Sequence, residues 1–443
     1  MKEDKLLKLL KKNLLIATGC TEPASVGLCV SGANSVSKGI FQSIRVVMDP
    51  GTYRNASGVI IPGTGEMCGV ELAAAIGYFC SDYAKGINIF SDLKEDLVKK
   101  AARLVLEDKV DVVIDNSKDR LFIEGLIYTT KGVGRALIVD KHTNMVDRKF
   151  YSNQEMESIS DASTLRYHNN KEDNFLRGLS ISEIYSSVKS LSGDKLIFLR
   201  EGAEINMKMA KYCMEDCSGY TGHSMTNLLG NELYEDDFIA EVQILTGLAV
   251  EGRMRGIQLP VMTSWGSGNQ GLVATIPVYF LGKKWGKKEE EVLRALALSN
   301  LIVGKVKSYL GAISSICGTS IAGASGICAG LVYLNGGKDK EVEDGLSVVI
   351  GSLSGVICDG AKPGCWAKAM VAVEVGIRAS LLALQGVCLY SGDGIVEEEI
   401  EKTLLNLENV EKIGMSDIKS LLGSIIQSKN NCRKNLLDVY GKK

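Results

Sequence analysis

The sequence has few of the features that mark secreted, membrane-bound or nucleic-acid-binding proteins. Only six of its 443 residues are proline and only three are histidine, and neither a Gly/Ser-rich linker nor a block of like charges interrupts it. The formal net charge of −2 favours neither nucleic acid nor an anionic membrane as a partner. Twelve cysteines are spread along the chain without the dense spacing of a disulfide-rich domain. These absences favour a cytoplasmic globular protein whose cysteines are reduced, catalytic or bound to metal.

Two stretches invite a membrane interpretation. An apolar run before Cys20 resembles a lipoprotein cleavage site, and residues 308–337 contain no charged side chain. Lys11, Lys12 and Asn13 interrupt the first stretch, and the leucines before them follow the spacing of an amphipathic helix. Small residues predominate in the second stretch, which favours a helix buried among other helices. A membrane protein is therefore the weaker alternative.

The hydrophobic pattern changes around the polar segment at residues 151–178. Before this segment, helical stretches near 68–84 and 92–108 separate short β-rich runs. These runs are residues 43–50, 58–65, 111–115, 121–130 and 136–144. After it, helical patterns punctuated by glycine continue to the C terminus. The sequence predicts an α+β domain at 1–175, which includes N-terminal helices, and an all-α domain at 176–443.

Cys20 lies where a helix is predicted to begin. Thr21 is a favourable N-cap and Pro23 is accepted in a first turn, so we expect a helix from about Glu22 to Ser37. A thiol at this position feels the positive end of the helix dipole, which favours the thiolate. Cys20 is therefore a candidate reactive thiol, and a small buried cysteine is the alternative.

Three segments of the second half contain residues suited to chemistry. They are GSGNQG (266–271), SSICGTS (314–320) and VICDGAKPGCWAK (356–368). Cys317, Cys358 and Cys365 are plausible ligands of one iron–sulfur cluster, and three ligands would leave one iron free for substrate. The paired spacing of a zinc site is absent. Spacing alone is a weak signal, because buried cysteines are common and usually inert.

Five motifs occur in order along nearly the whole chain. They are GCTEPA (19–24), IPGTG (61–65), HTN (142–144), GSGNQG (266–271) and CDGAKPGC (358–365). This set resembles the L-cysteine desulfidase family, whose members are related to iron–sulfur L-serine dehydratases. The resemblance implies a [4Fe–4S] enzyme that converts L-cysteine into pyruvate, ammonia and hydrogen sulfide without pyridoxal phosphate.

The resemblance also implies roles for individual cysteines. By motif, Cys317, Cys358 and Cys365 would ligate the cluster, and Cys20 would be the catalytic thiol. We expect the open iron to bind the substrate thiolate while Cys20, as base, removes the α-proton. Cys328, eleven residues after Cys317 in the same uncharged stretch, is the alternative first ligand.

The substrate-binding candidates lie in two loops. They are Ser267, Asn269 and Gln270 of GSGNQG, and His142, Thr143 and Asn144 of HTN. The first loop can offer polar side chains and backbone N–H groups to a carboxylate. The second is expected to close the site from the α+β domain, with an ordinary turn as the alternative. Asp359 and Lys362 are expected to orient the cysteine loop or to pair with each other in solvent.

Two departures from the family pattern concern the substrate more than the cluster. Trp265 stands immediately before GSGNQG, where a small residue is expected, and residues 251–255 vary from the usual run. A bulky ring beside the pocket is expected to change its shape. An L-serine dehydratase with the same cluster and a non-catalytic iron–sulfur or thiol-sensing protein are the alternatives. The expected partners are a small amino acid and, for the apolar second half, a second copy of the chain in a homodimer.

Overall fold

The computed structural model describes residues 2–80, 82–155, 171–215, 227, 237–429 and 439. Numbered in chain order, its strands are β1 Ile16–Thr18, β2 Phe41–Met48, β3 Val110–Ile114, β4 Phe122–Thr129, β5 Gly132–Val139, β6 Met145–Ser152 and β7 Pro260–Met262. Its α-helices are α1 Lys2–Asn13, α2 Thr21–Val36, α3 Pro50–Ser57, α4 Val70–Phe79, α5 Glu95–Leu106, α6 Lys171–Arg177, α7 Ile181–Ser190, α8 Ile197–Glu215, α9 Phe238–Met254, α10 Gly268–Lys284, α11 Glu289–Leu310, α12 Gly318–Leu334, α13 Asp339–Leu353, α14 Cys365–Ala383, α15 Ile400–Asn409 and α16 Ile418–Lys429. Six of the seven described strands thus precede the long helical region, and β7 lies within it.

A five-stranded mixed sheet is built from the first part of the chain. Its strand order is β3-β2-β4-β5-β6, in which β2 and β3 are parallel and the other neighbours are antiparallel. Alternate residues of β2, namely Ile44, Val46 and Met48, point into a core that they share with α2, α4 and α5. This core holds α2, and therefore the residue that precedes it, in a fixed position.

Two sheet predictions differ from the structure. Residues 58–65 form turns with one isolated bridge, between Ile60 and Cys68, because Pro62 and Gly63 end the apolar run before it can pair further. Strand β6 was not expected, since it exposes the polar residues Asp147 to Lys149 at the sheet edge and lacks a hydrophobic signal. The hydrophobic pattern of a sequence therefore predicts the interior strands of a sheet more readily than its edge strands.

A second and larger core is formed by the helices after residue 170. Helix α12 lies at its centre and packs against α10, α11, α13 and α14. The uncharged stretch at 308–337 is therefore not one continuous helix, since α11 ends at Leu310 and α12 begins only at Gly318. Within the described ranges, no helix combines the length and apolar character needed to cross a bilayer.

The N-terminal segment joins the two cores. Leu6, Leu9 and Leu10 of α1 are buried in the larger core, as expected for an amphipathic helix. Strand β1 then pairs antiparallel with β7, with Ile16 opposite Met262. The next backbone hydrogen bond, from Thr263 N to Leu15 O, is 2.7 Å long. This pairing brings the GCTEPA and GSGNQG motifs together although 245 residues separate Thr21 from Gly266 along the chain.

Candidate active site

An open cavity of about 80 Å³ lies at the N-terminal ends of four helices. Helices α2, α10, α12 and α14 each contribute residues of their first turn or N-cap to its wall. The positive ends of four helix dipoles therefore face one space. The described part of the wall also contains Arg253, Lys307 and Lys368. This arrangement favours negatively charged ligands.

Cys317, Cys358 and Cys365, here called the cysteine wall, line this cavity together. Cys317 is the N-cap of α12, and Cys365 is the first residue of α14. Cys358 lies on a short antiparallel bridge with the segment before α12. Two backbone hydrogen bonds make this bridge, from Cys317 N to Val356 O at 2.7 Å and from Cys358 N to Ser315 O at 2.6 Å. The backbone thus holds Cys317 beside Cys358.

Two buried charged residues support the segment before Cys317. The Glu411 carboxylate accepts hydrogen bonds from Ser315 N at 2.7 Å and from Ile316 N at 2.8 Å. The Arg54 guanidinium donates from Nη2 to Ser314 O at 2.9 Å. Because Glu411 and Arg54 are both almost fully buried, these charge-assisted hydrogen bonds are strong. Glu411, from the last part of the chain, and Arg54, from the first part, thus hold the segment 314–316 in place.

The thiols of the cysteine wall differ in charge. A hydrogen bond from Cys317, aided by the positive charge of Arg54, lowers the pKa of Cys358 to about 5. The same hydrogen bond, together with burial, raises the pKa of Cys317, and burial raises the pKa of Cys365. Cys358 is therefore a thiolate at neutral pH. This is the form in which cysteine binds metal.

Asp359 connects Lys362, in the loop 358–364, with Lys368 near the start of α14. Its carboxylate accepts from Lys362 Nζ at 2.5 Å and also from Lys368 Nζ, which in turn donates to Ile357 O at 2.7 Å. Burial alone would raise the pKa of Asp359, but these lysines lower it to about 2. Asp359 and Lys362 therefore pair with each other, which was one of the two roles expected for them. Lys368, which was not singled out as a site residue, also lines the cavity.

Cys20 lies elsewhere on the same cavity wall, with a different neighbour. It is the N-cap of α2, which begins at Thr21, so the predicted helix is confirmed but Thr21 as its cap is wrong. The Cys20 Sγ donates a hydrogen bond to Glu22 Oε2 at 3.0 Å. Burial and the Glu22 carboxylate raise the pKa of Cys20 well above its ordinary value, although the Arg253 charge opposes them. The helix dipole alone predicts the wrong direction for this pKa.

Glu22 is the centre of a hydrogen-bonded group below Cys20. Its Oε2 also accepts from Thr21 Oγ1 at 2.9 Å, and its Oε1 accepts from Asn55 Nδ2 at 3.1 Å. The His142 Nε2 lies 3.7 Å from Oε1. Burial alone would raise the pKa of Glu22, but His142, Cys20 and Thr21 outweigh it and hold the pKa below its usual range. Glu22 is thus a carboxylate that stabilises Cys20 as a thiol.

The GSGNQG loop forms another part of the wall, where Ser267, Asn269 and Gln270 all line the cavity. Ser267 caps α10, because its hydroxyl accepts from Gln270 N at 3.4 Å. The Asn269 Oδ1 accepts from Arg253 Nη1 at 2.9 Å. The Gln270 Oε1 is buried without a hydrogen-bond partner among the described residues. The loop therefore carries a hydrogen-bond acceptor, Gln270 Oε1, that no described residue uses.

The HTN motif is divided by the structure. His142 is buried beside Glu22, and its backbone oxygen accepts from Ser25 Oγ at 2.8 Å. Thr143 and Asn144 lie exposed in the turn between β5 and β6, outside the described cavity wall. The Asn144 Nδ2 donates to Val139 O at 3.0 Å, which is a local turn contact. A role for Thr143 and Asn144 in substrate binding stays a prediction.

Trp265 does not occupy the position that its place in the sequence suggested. Its φ of 49° is in the left-handed region, which is unfavourable for a bulky residue. The ring packs on Gly304 of α11, where a Cβ would come within 2.2 Å of it, and its Nε1 donates to Asn300 O at 2.7 Å. Trp265 is not among the residues described as lining the cavity, and its expected effect on the shape of the pocket stays a prediction.

The cysteines away from this cavity have other environments. Cys328 is fully buried in α12 against Gly345 of α13, and burial raises its pKa to about 12. It is not among the described lining residues, which favours Cys317 over Cys328 as a ligand. Cys68 is disulfide-bonded, so the expectation of reduced thiols is wrong at that position.

Several functional candidates escaped the sequence interpretation. Glu22, Arg253 and Lys368 lie inside quoted segments but were not singled out, and Asn55 and Lys307 were not considered. A weak signal existed, because Arg253 and Lys307 are charged residues in the last turns of helices whose middle turns, 242–250 and 295–304, carry no charge. A buried charge in such a place requires a partner or a ligand. The partner, however, becomes visible only in three dimensions.

Comparison with known proteins now fixes the family. The family of the serine dehydratase alpha chain matches residues 85–421. The chain belongs to this family. A UPF0597 protein of Desulfotalea psychrophila is 32% identical over 427 residues, which cover 95% of this chain and 98% of the relative. A UPF0597 protein of Clostridium perfringens is also 32% identical over 427 residues, with 96% and 98% covered.

Membership in the serine dehydratase alpha chain family confirms the coarser part of the resemblance, namely a serine dehydratase-like lyase. The residues of the cavity can be tested against the iron–sulfur cluster that the resemblance implies. No three His, Cys, Asp or Glu side chains within the described ranges surround a point suited to one metal ion. The three thiols of the cysteine wall nevertheless line one cavity, and in a cluster each thiolate binds a different iron.

The size and charge of the cavity fit the same group. A cavity volume of about 80 Å³ is several times the roughly 10–15 Å³ that one water molecule requires. Arg54, Lys368 and the helix N-termini provide positive charge beside the thiols. The buried Nε and Nη1 of Arg54 also lack partners among the residues described. The residues present therefore fit a cluster with several iron atoms.

Proposed function

We propose that this chain is a [4Fe–4S]-dependent L-cysteine desulfidase, which converts L-cysteine into pyruvate, ammonia and hydrogen sulfide. One observation carries the proposal: Cys317, Cys358 and Cys365 line the same cavity as Cys20. These cysteines come from distant parts of the chain, and their convergence in one open space is not needed for packing. The motifs that resemble the desulfidase family supply much of the wall.

Cys317, Cys358 and Cys365 would hold the cluster. When bound, a cluster with three thiolate ligands supplies a Lewis-acidic iron that lowers the barrier to departure of the β-sulfur. Cys358 is already a thiolate at neutral pH, and the bridge between Ile316 and Ile357 presents it together with Cys317. Binding of the cluster would then require loss of the protons of Cys317 and Cys365.

Cys20 would remove the α-proton of the substrate in its thiolate form, after its own thiol proton has passed to solvent, and this form becomes more abundant as the pH rises. A thiolate at this position is a strong base, because burial and Glu22 favour its protonated form. Once Cys20 has accepted the proton, its thiol can donate to Glu22 Oε2, the contact seen at 3.0 Å. The elimination leaves aminoacrylate, which tautomerises and hydrolyses in water to pyruvate and ammonia.

L-Serine dehydration is the second candidate, and membership in the serine dehydratase alpha chain family favours it. The same residues would serve, because the base and the cluster act on the same α-carbon and β-substituent whether sulfide or hydroxide leaves. The two activities differ in the second product. Only desulfidation releases sulfide.

The test is an anaerobic assay of the purified, cluster-loaded protein without added pyridoxal phosphate. We expect equal amounts of pyruvate and sulfide from L-cysteine, and little pyruvate from L-serine. Turnover of L-serine but not of L-cysteine would reject the desulfidase proposal in favour of the dehydratase. A cluster spectrum without pyruvate from either amino acid would instead indicate a non-catalytic iron–sulfur protein.

A further inference from the structure

Arg253 is a buried cation with unused hydrogen-bond donors at the cavity. It lies in the last turn of α9, only 2% of its surface is exposed, and it contributes to the cavity wall. Its Nη1 donates to Asn269 Oδ1 at 2.9 Å. Its Nε and Nη2 have no partner among the residues that the structure describes. One side of the guanidinium is therefore held in place and the other is unpaired.

The two unpaired groups are the ones that recognise a carboxylate. The N–H bonds of Nε and of the neighbouring Nη2 run parallel, so both oxygens of one carboxylate can accept from them at once. A buried guanidinium without an anion is costly. Glu22 and Asp359 carry the carboxylates of the described wall, and both already accept from other side chains. Among the described residues, the wall therefore offers Arg253 no free carboxylate, which favours an anion that binds there as a ligand.

The surroundings of Arg253 also suit a bound carboxylate. The guanidinium lies flat against Gly268, the first residue of α10, where a Cβ would come within 2.2 Å of Nε. The positive end of the α10 dipole thus adds to the charge of Arg253. The unpartnered Gln270 Oε1, on the first turn of the same helix, is an acceptor suited to an ammonium group. Both charged ends of an α-amino acid find complementary groups here.

We propose that the Nε and Nη2 edge of Arg253 binds the α-carboxylate of the substrate, an inference that rests on the proposed function. Arg253 lies close enough to Cys20 for its charge to act on that thiol. The carboxylate carbon is bonded directly to the α-carbon, so a carboxylate at Arg253 brings the α-hydrogen towards Cys20 Sγ. The substrate class is then α-amino acids with a free carboxylate, and the corresponding amines are poor ligands.

The experiment compares L-cysteine with cysteamine, which is the same molecule without its carboxylate. Binding is measured by calorimetry on anaerobic, cluster-loaded protein in a Cys20→Ala background, so that turnover does not consume the ligand. Arg253→Gln should weaken L-cysteine about 100-fold and cysteamine less than about threefold, since two charge-assisted hydrogen bonds are lost only for the carboxylate. Arg253→Lys, which keeps the charge but not the parallel donors, should restore part of the affinity.

Arg255→Gln is the matched control. It removes a guanidinium two residues away that pairs with Glu251 at 2.8 Å and lies outside the described cavity wall, so the preference for L-cysteine should be kept. Should Arg253→Gln fail to load its cluster, Gly268→Ala, which displaces the guanidinium, should give the same selective loss. Equal losses for both ligands, or no loss for L-cysteine, would overturn the proposal.

The outcome also separates this inference from the proposed function. If the wild-type protein yields no pyruvate from L-cysteine but still prefers it to cysteamine through Arg253, the desulfidase proposal fails and the carboxylate site stands. If pyruvate and sulfide form at the normal rate and affinity in Arg253→Gln, the carboxylate site fails and the desulfidase proposal stands.

Discussion

Cys20 and Cys358 share one cavity and have opposite chemistry. The pKa of Cys20 is raised by burial and by the Glu22 carboxylate, whereas that of Cys358 is lowered to about 5 by a hydrogen bond from Cys317. Cys20 is therefore a proton carrier at neutral pH and Cys358 a ready metal ligand. The side chain next to each cysteine, rather than the cavity as a whole, determines whether that cysteine is a thiol or a thiolate.

Helix position does not explain this difference. Cys20, Cys317 and Cys365 lie at helix N-termini, yet all three have raised pKa values. Cys358 lies on a bridge between two loops and is the one whose pKa is lowered. Burial and hydrogen bonds thus outweigh the helix dipole here, which contributes only a fraction of a kcal/mol to about 2 kcal/mol. Four converging dipoles favour an anionic ligand without ionising the thiols by themselves.

The largest effect is expected from removing a thiol of the cysteine wall. Cys358→Ala should lower cluster affinity more than about 100-fold, because loss of a ligand exceeds the loss of an outer hydrogen-bond partner. Iron and labile sulfide per chain measure this after anaerobic purification. Cys317→Ala and Cys365→Ala should behave alike, while Cys328→Ala, outside the described wall, should keep its cluster. Retention of the cluster in Cys317→Ala would transfer the ligand role to Cys328.

The next effect concerns Cys20 itself. Cys20→Ala should keep the cluster and lower kcat about 10²- to 10⁴-fold, which is the usual contribution of a positioned general base. Pyruvate release under anaerobic conditions is the measurement. Cys29→Ala, which removes another buried thiol of α2, is the matched control and should retain its rate. A normal rate in Cys20→Ala would leave Cys20 as a lining residue only.

A third prediction tests the influence of Glu22 through the pH profile. Since the pKa of Cys20 is raised, its thiolate fraction grows with pH, so kcat/KM of the wild type should rise towards alkaline pH. Glu22→Gln removes the negative charge that raises this pKa and should move the rising limb to lower pH. Asp359→Asn removes a carboxylate from the cysteine loop and should leave the limb in place. If the rising limb of the pH profile stays at the same pH in Glu22→Gln, the group that titrates is not Cys20.

The smallest effect is expected in the HTN turn. Thr143 is exposed between β5 and β6, so Thr143→Ala should change KM for L-cysteine less than about twofold, as is usual for surface substitutions. The measurement is KM by steady-state kinetics for Thr143→Ala and, for comparison, for His142→Asn, which alters the buried neighbour of Glu22. A tenfold rise of KM in Thr143→Ala would instead place this turn against the substrate.

Much of the site was accessible from the sequence because local patterns encode it. The helix after Cys20 and the segments that contain Cys317, Cys358 and Cys365 follow from motifs and spacing. The pairing of β1 with β7 could not be predicted from the sequence, because each strand has only three residues and their hydrogen bonds join distant segments. Arg253 and Glu22 escaped for the same reason, since a charged side chain reveals its role only when its partners are placed.

The central claim is that the cysteine wall holds a cluster with one iron open towards Cys20. Mössbauer spectroscopy of anaerobic, ⁵⁷Fe-loaded protein tests it most directly, before and after L-cysteine is added to Cys20→Ala. The account predicts four irons per chain, one of which is distinct and changes its signal on addition of L-cysteine. A single mononuclear iron, or a cluster with four equivalent irons that L-cysteine leaves unchanged, would contradict it.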